Sequence, residues 1–352
     1  MPELKAVIEE EIAREKSLSF ARFMEMALYH PELGYYSKAA RQDDYYTNAD
    51  VHPVFGEIVA RFLLNEFKAS LNGVMALRVA ELGAGEGKLA RHILQSLKEI
   101  APAAYEKCLY ICVEKSPSRR AACGSVAEAF PGRVSVKEDF DFGPDKFTGV
   151  VLSNEFFDAL PFHRVLQDKG TLYEIRVNKE LEETLLPAVK ELRDYFEALG
   201  HFPKDGARAE AQVSAVEWMG KIGRALKRGT VLSIDYGFEA RELLSDIRPE
   251  GTAICHYRHA VNRDFYERVG EQDITAHVNF SALVKEGVKW GLASSLMTQT
   301  HFVLENGFEK AVEKIEKITD PKARLRLSSA IKTLIHPGSL GGAFKVLLQK
   351  KA

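Results

Sequence analysis

The sequence lacks an excess of either charge. Its 48 lysines and arginines face 50 aspartates and glutamates, a net charge of -2 over 352 residues. That removes the electrostatic footprint expected of a nucleic-acid or membrane-surface binder. No apolar run approaches the roughly 18 residues of a membrane span. The four cysteines, Cys108, Cys112, Cys123 and Cys255, form no C-x-x-C, and no second pair completes a zinc site. Reduced, buried thiols and no bound metal are expected. A G-x-S-x-G elbow is missing, which leaves a serine hydrolase without support. Internal repeats and low-complexity tracts are missing too. The acidic, helix-patterned start MPELKAVIEEEIAREK has neither the basic and apolar plan of a secretory signal nor the acid-poor composition of a mitochondrial presequence. A cytoplasmic protein is expected.

What is present is an ordinary globular composition, 46% hydrophobic and 28% charged, with material for one large domain plus an elaboration or for two domains. Residues 1–72 read as an N-terminal helical segment packing on the core, from apolar residues at helical spacing on either side of a tyrosine-bearing loop. From about residue 74 the pattern alternates. ALRVAEL, CLYICVE, VSVKEDF and FTGVVLSNEF read as strands. KLARHILQSLKEI and the stretch after the Ser116–Pro117 pair read as helices. That alternation predicts an α/β fold with a mainly parallel sheet. Residues 73–165 and 229–352 are assigned to this core. Residues 166–228 read as a helical insertion lobe, in which TLYEIRVNKE looks like an extended pair or edge and 181–228 are helical and polar, and 238–280 as a substrate-side excursion. FSALVKEGVKWG predicts a helix, and LASSLMTQ and FKVLLQK predict strands.

The most informative stretch is ELGAGEGK, residues 81–88, a strand-to-helix turn with glycines at 83, 85 and 87. A P-loop needs Ser or Thr after its Lys, and Leu89 stands there. A dinucleotide fingerprint needs a third glycine at 88, which is Lys. The acidic-x-Gly-x-Gly-x-Gly turn resembles instead the first motif of class I S-adenosylmethionine-dependent methyltransferases. That ligand has no pyrophosphate, and its ammonium suits Glu81, directly or through water. Glycines let its methionyl and ribose parts lie against the backbone. Glu114, at the tip of the next strand, is placed to accept the ribose hydroxyls. Asp139 and Phe140, after the third strand, are candidates for the adenine amino group and ring.

SNEFFDALPFHR, 153–164, closes the fourth strand at the end where ligands of open α/β sheets bind. Asn154, Glu155 and Asp158 are set among Phe156, Phe157, Pro161 and Phe162. Capping of the next helix is the competing explanation, but so many polar groups in an apolar neighbourhood are costly to leave unused. Asp235 of IDYG, with Glu271, Asp273 and His277, are candidates to line the same pocket. His277 reads as a hydrogen-bonded structural histidine, with a catalytic proton acceptor as the alternative. His256 and His259 lack partners for a metal site.

In order along the chain, FARFMEMALYHPELGYY, TNADVHPVFGEIVARF, ELGAGEGKL, SNEFFDALPFHRV, IDYG, GEQDITAHVNFSAL and HPGSLGGAFKVLLQ are similar to blocks of the MidA-type methyltransferases. The mitochondrial member of that family is a protein-arginine methyltransferase assisting respiratory complex I assembly. The resemblance implies a class I S-adenosylmethionine-dependent, Rossmann-like sheet with a mostly helical second lobe. It also implies S-adenosyl-L-methionine as cofactor and arginine on a protein as acceptor; Glu155 and Asp158 are candidates to grip such a guanidinium. The chain departs from the family at DDYYTN, 43–48, where a Gly-Asp-Phe-x-Thr run is usual; Thr47 remains. The start of the chain suggests a bacterial member. A non-catalytic S-adenosylmethionine-binding scaffold and a small-molecule methyltransferase are the rival functions, and a homodimer is compatible with either.

Overall fold

A computed structural model describes residues 3–38, 52–69, 75–143 and 146–352; the DDYYTN run falls outside them. The chain divides into two compact units. One gathers Met1–Tyr45, Phe157–Lys221 and Gly237–Glu286, the other Tyr46–Phe156, Ile222–Tyr236 and Gly287–Ala352.

The second of these is built on a sheet of β1 (Leu77–Leu82), β2 (Cys108–Val113), β3 (Val134–Lys137), β4 (Phe147–Asn154), β5 (Leu226–Phe238), β6 (Ala293–Thr298) and β7 (Phe344–Lys351). Their spatial order is β3-β2-β1-β4-β5-β7-β6. The first five pair in parallel, and β7 runs antiparallel to both its neighbours. Val150, Val151 and Leu152 of β4 are all fully buried. A strand covered on both faces reads as a continuous apolar run, as a parallel sheet requires.

Helices α1 (Val54–Ala69), α2 (Lys88–Ile100) and α3 (Pro117–Ala129) belong to this unit, as do α4 (Gln299–Asn306), α5 (Phe308–Lys317) and α6 (Pro321–Ile335). On α2, Leu89, Ala90, Ile93, Leu94 and Leu97 form the buried stripe. As the Ser-Pro pair predicts, Ser116 caps α3, its hydroxyl accepting from the Arg119 N–H, with Pro117 in the first turn. No helix among the described residues is long and apolar enough to cross a membrane.

The other unit contains helices Leu4–Glu15 and Phe20–Tyr29 and an antiparallel sheet of five strands: Leu18–Ser19, His163–Asp168, Thr171–Val177, Glu183–Pro187 and Arg208–Ala211. A three-stranded antiparallel sheet, Ile254–Tyr257, Ala260–Asn262 and Asp273–Thr275, accompanies it. Phe20 is fully buried, with the Phe162 and Phe265 rings 5.5 and 5.2 Å away.

Two expectations about organisation change. Residues 166–228 hold helices Lys190–Leu199 and Val213–Ala225, but also most of a five-stranded sheet, so this unit is mixed rather than mostly helical. Glu183–Pro187 and Arg208–Ala211 are short strands whose pattern alone does not mark them; pairing with longer neighbours makes them strands. Residues 1–72 do not form one segment either: the described residues 3–38 and 52–69 fall in different units. Helices α4–α6 lie in a stretch from which no element was read.

Gly56 of α1 sits where two helices approach closely. A Cβ there would overlap the Cβ of His92 on α2 and come within 3.1 Å of the Ile93 nitrogen. Gly56→Ala is therefore expected to destabilise by about 1–3 kcal/mol through overpacking, despite the roughly 1 kcal/mol that alanine gains inside a helix. Denaturant unfolding of the two proteins checks the sign.

Candidate functional site

The glycine turn ends β1 and opens α2. All three glycines have positive φ, +64° at Gly83, +57° at Gly85 and +78° at Gly87, where a side chain costs about 1–2 kcal/mol. Their surroundings differ. A Cβ at Gly83 would lie 2.8 Å from the Phe156 ring, and one at Gly87 2.7 Å from Val126 of α3. At Gly85 it would meet nothing within 4 Å. Gly83 and Gly87 are fixed by packing as well as dihedral. Gly85 faces open space, and that is where a ligand can approach the backbone.

Glu114 holds this turn in place. Its Oε2 accepts the Gly85 N–H at 2.9 Å, and its Oε1 accepts the Ser116 N–H at 2.8 Å. The Arg120 guanidinium donates to the Glu114 and Lys115 carbonyls at 2.9 and 2.8 Å. Each carboxylate oxygen has a second lone pair, so the acceptor capacity wanted for a ribose remains. Beneath the turn, Cys123 donates its thiol to the Gly85 carbonyl at 3.0 Å.

Glu81 is almost wholly buried at the end of β1, and Tyr110 of β2 donates its hydroxyl to Oε2 at 2.8 Å. Burial pushes the Glu81 carboxyl up to about 8, opposed by the Tyr110 bond and reinforced by the Glu114 charge. Tyr110 escaped sequence reasoning. Strand alternation was the available signal: in the β1–β2 register Val79 faces Tyr110 and Glu81 faces Cys112, so Tyr110 shares the Glu81 face. A buried tyrosine hydroxyl needs a partner there.

At the end of β4, Asn154 donates its amide to Glu155 Oε1 at 2.9 Å. Glu155 has φ +51°, and its N–H reaches the Ile234 carbonyl of β5 at 2.9 Å. A non-glycine residue held there marks local strain of the kind that clusters at functional sites. Asp235 is buried; its Oδ2 accepts the Phe156 N–H at 3.2 Å and its Oδ1 its neighbour Tyr236 N–H at 3.0 Å. Phe156 packs against Gly83, so the turn, Asn154, Glu155 and Asp235 come together in one unit.

The remaining candidates fall elsewhere. Phe140 is a correction: its ring is buried against Phe142 and Phe147, centroids 4.9 and 6.3 Å away, which makes it core and not an adenine platform. Asp139 caps the Phe140 N–H at 2.8 Å. Asp158 and His277 belong to the other unit, where the Asp158 carbonyl accepts the Ala276 N–H at 3.1 Å. His277 is pushed down to about 4 by burial, with the Arg248 charge adding to the effect. Its backbone bonds Thr252 Oγ1 at 3.0 Å and Gln212 Nε2 at 3.1 Å. Burial and that charge both favour the neutral imidazole. Asp273 is buried under the Tyr36 hydroxyl, 2.6 Å away. Among the described residues no three histidines, cysteines or carboxylates are grouped to hold a metal.

Residues 58–296 match the model of a family described as S-adenosyl-L-methionine-dependent methyltransferases. The mitochondrial protein arginine methyltransferase NDUFAF7 of Danio rerio is 27% identical, covering 93% of this chain and 82% of its own. The human NDUFAF7 is 24% identical, with 93% and 78% covered. A COG1565 superfamily member from Burkholderia thailandensis, its structure bound to S-adenosyl-homocysteine, is 31% identical. It superposes with a TM-score of 0.85 over 99% of this chain and 92% of its own.

Two outcomes are expected. Gly85→Val places a β-branched side chain in the open space at an unfavourable φ, so affinity for S-adenosylhomocysteine falls more than tenfold by calorimetry while the thermal midpoint moves by only a few degrees. For His277, the folded value lies below the usual 6.5. The stability it contributes is whole above about 6.5 and is lost as pH falls towards about 4. The unfolding free energy of His277→Gln should decline less over that window than that of the unaltered chain.

Proposed function

The chain belongs to the S-adenosyl-L-methionine-dependent methyltransferase family, and on that premise we propose that its acceptor is an arginine guanidinium on a protein. The cofactor is S-adenosyl-L-methionine, which when bound supplies a methyl group on an electrophilic sulfonium. The residues present fit it: an open glycine turn at Gly85, Glu114 with acceptor capacity left, and Glu81 for a cationic end.

The observation that carries the arginine reading is the placement of Asn154 and Glu155. Phe156 against Gly83 ties their strand end to the turn, and Glu155 is held there in a strained conformation. A carboxylate and an amide side by side suit a planar, five-donor guanidinium. Asp235 anchors the segment through the Phe156 N–H. Alignment of the nucleophile is what this arrangement supplies, and alignment accounts for much of the rate of such transfers. Relatives named as protein arginine methyltransferases over most of this chain support the same acceptor class.

The test is a cell extract incubated with the protein and methyl-labelled S-adenosylmethionine, followed by acid hydrolysis of the labelled proteins. Label is expected in methylated arginine. Label confined to small molecules would favour the rival acceptor class, and no label at all a scaffold. Glu155→Gln is expected to retain cofactor affinity and lose one to two decades of rate, since a charge-assisted bond to a desolvated guanidinium is worth about 1.5–3 kcal/mol. If its turnover matches the unaltered enzyme, Glu155 has no part in holding the acceptor.

A further inference from the structure

The unit that holds the glycine turn carries a second hollow, away from that turn. It is a cavity of about 770 Å³ between α1, the end of α2 and the joint of α4 with α5. Its floor is apolar: Leu64, Phe67 and Ile100 rest on the core, and Leu304 is 48% exposed. Gly307 keeps the α4–α5 joint close to α1, since a Cβ there would lie 3.0 Å from the Arg61 side chain. The rim is basic. Arg61, Lys68, Lys107 and Lys310 stand on it against Glu305 and Glu309. Among the described residues Lys68 and Lys107 have no carboxylate partner. Arg61 shares the Glu57 carboxylate with Lys314, at 2.8 and 3.2 Å, and Glu305 is bonded to His301 at 2.9 Å. Positive charge is therefore in excess here, in a chain whose net charge is -2.

The cavity is remote from the cofactor turn. The Lys107 carbonyl accepts the Leu77 N–H, so Lys107 marks the amino ends of β1 and β2, whereas the glycines follow the carboxyl end of β1. The six residues of β1 separate the two ends by about 20 Å. The thirteen residues of α2, which starts at the turn and ends at Ile100, span about the same distance. Cofactors of such sheets bind at the carboxyl ends of the strands, so the basic cavity serves another ligand. We propose that it is an exosite for an acidic, amphipathic segment of the protein acceptor, with apolar side chains seated on the floor and carboxylates facing Lys68 and Lys107. The inference rests on the reading that the acceptor is a protein, and adds where that protein is held. A trough between helices with an apolar floor takes an amphipathic segment. The unpaired cations select an acidic one and repel a basic one. An extended acceptor chain needs at least about six residues between the docked segment and the arginine to cover the distance.

Fluorescence anisotropy of the full chain tests this, with a labelled peptide of leucines and glutamates at helical spacing as probe and its lysine-for-glutamate counterpart as control. The acidic peptide is expected to bind, more weakly as salt rises, and the basic one not to bind. Lys68→Glu combined with Lys107→Glu alters two exposed side chains, so the fold survives. It should weaken peptide binding more than tenfold and leave affinity for S-adenosylhomocysteine unchanged. With cell extract and methyl-labelled cofactor, the same double variant should place several-fold less label in protein arginine. Equal binding of the two peptides, peptide binding that the double variant retains, or binding of octanoate in place of the peptide overturns the exosite. So does a dimer in sedimentation that the double variant dissolves, which would assign the cavity to a second copy of the chain. Arginine label undiminished in the double variant also overturns it and leaves the arginine reading intact. Absence of arginine label with the unaltered chain overturns both.

Discussion

The Glu114 carboxylate, bonded to two backbone N–H groups, is the interaction on which this site depends. One bond reaches back to Gly85 in the turn after β1, the other forward to Ser116 at the start of α3. Hydrogen bonds to a charged acceptor are about twice as strong as neutral ones, and these join two strand ends and a helix start that the sequence separates by roughly thirty residues. With that bridge in place the three glycines can hold left-handed dihedrals. Gly83 and Gly87 are packed from behind, and Gly85 is left facing open space. A ligand-binding turn must be rigid and close to its ligand at once; the bridge supplies the first property and Gly85 the second.

Around this turn the carboxyl groups divide their roles by environment. Glu114 is satisfied by N–H donors and serves as an anchor. Glu81 is buried with a single hydroxyl donor and favours its neutral form. Asp235 is tied down by the N–H groups of Phe156 and Tyr236, which leaves it a brace. Glu155, strained and bonded to Asn154, is the carboxylate whose conformation is hardest to explain by packing alone.

The core sheet was legible because buried parallel strands read as apolar runs and a glycine-rich turn breaks the pattern sharply. ALRVAEL, CLYICVE and FTGVVLSNEF lie where β1, β2 and β4 run, and the Ser116 cap behaves as its sequence implies. Legibility failed where tertiary pairing decides. Glu183–Pro187 exposes Leu185 and Leu186, so it carries no alternating signal, and only its register with Thr171–Val177 makes it a strand. Phe140 looked like a platform because it ends a strand; its burial among Phe142 and Phe147 is a three-dimensional fact. Tyr110 was hidden in an apolar run, and its importance appears only when the strand register sets it beside Glu81. At His277, burial and the nearby Arg248 charge lower the proton affinity, and neither is visible in the sequence.

A crystal structure of the chain with S-adenosylhomocysteine tests the central claim most directly. The account predicts the ligand against Gly85, its ribose hydroxyls within hydrogen-bond reach of Glu114 and its ammonium facing Glu81, with Asn154 and Glu155 beside the sulfur. A ligand bound away from the glycine turn, or at the turn with its ammonium far from Glu81 and its ribose far from Glu114, would contradict it.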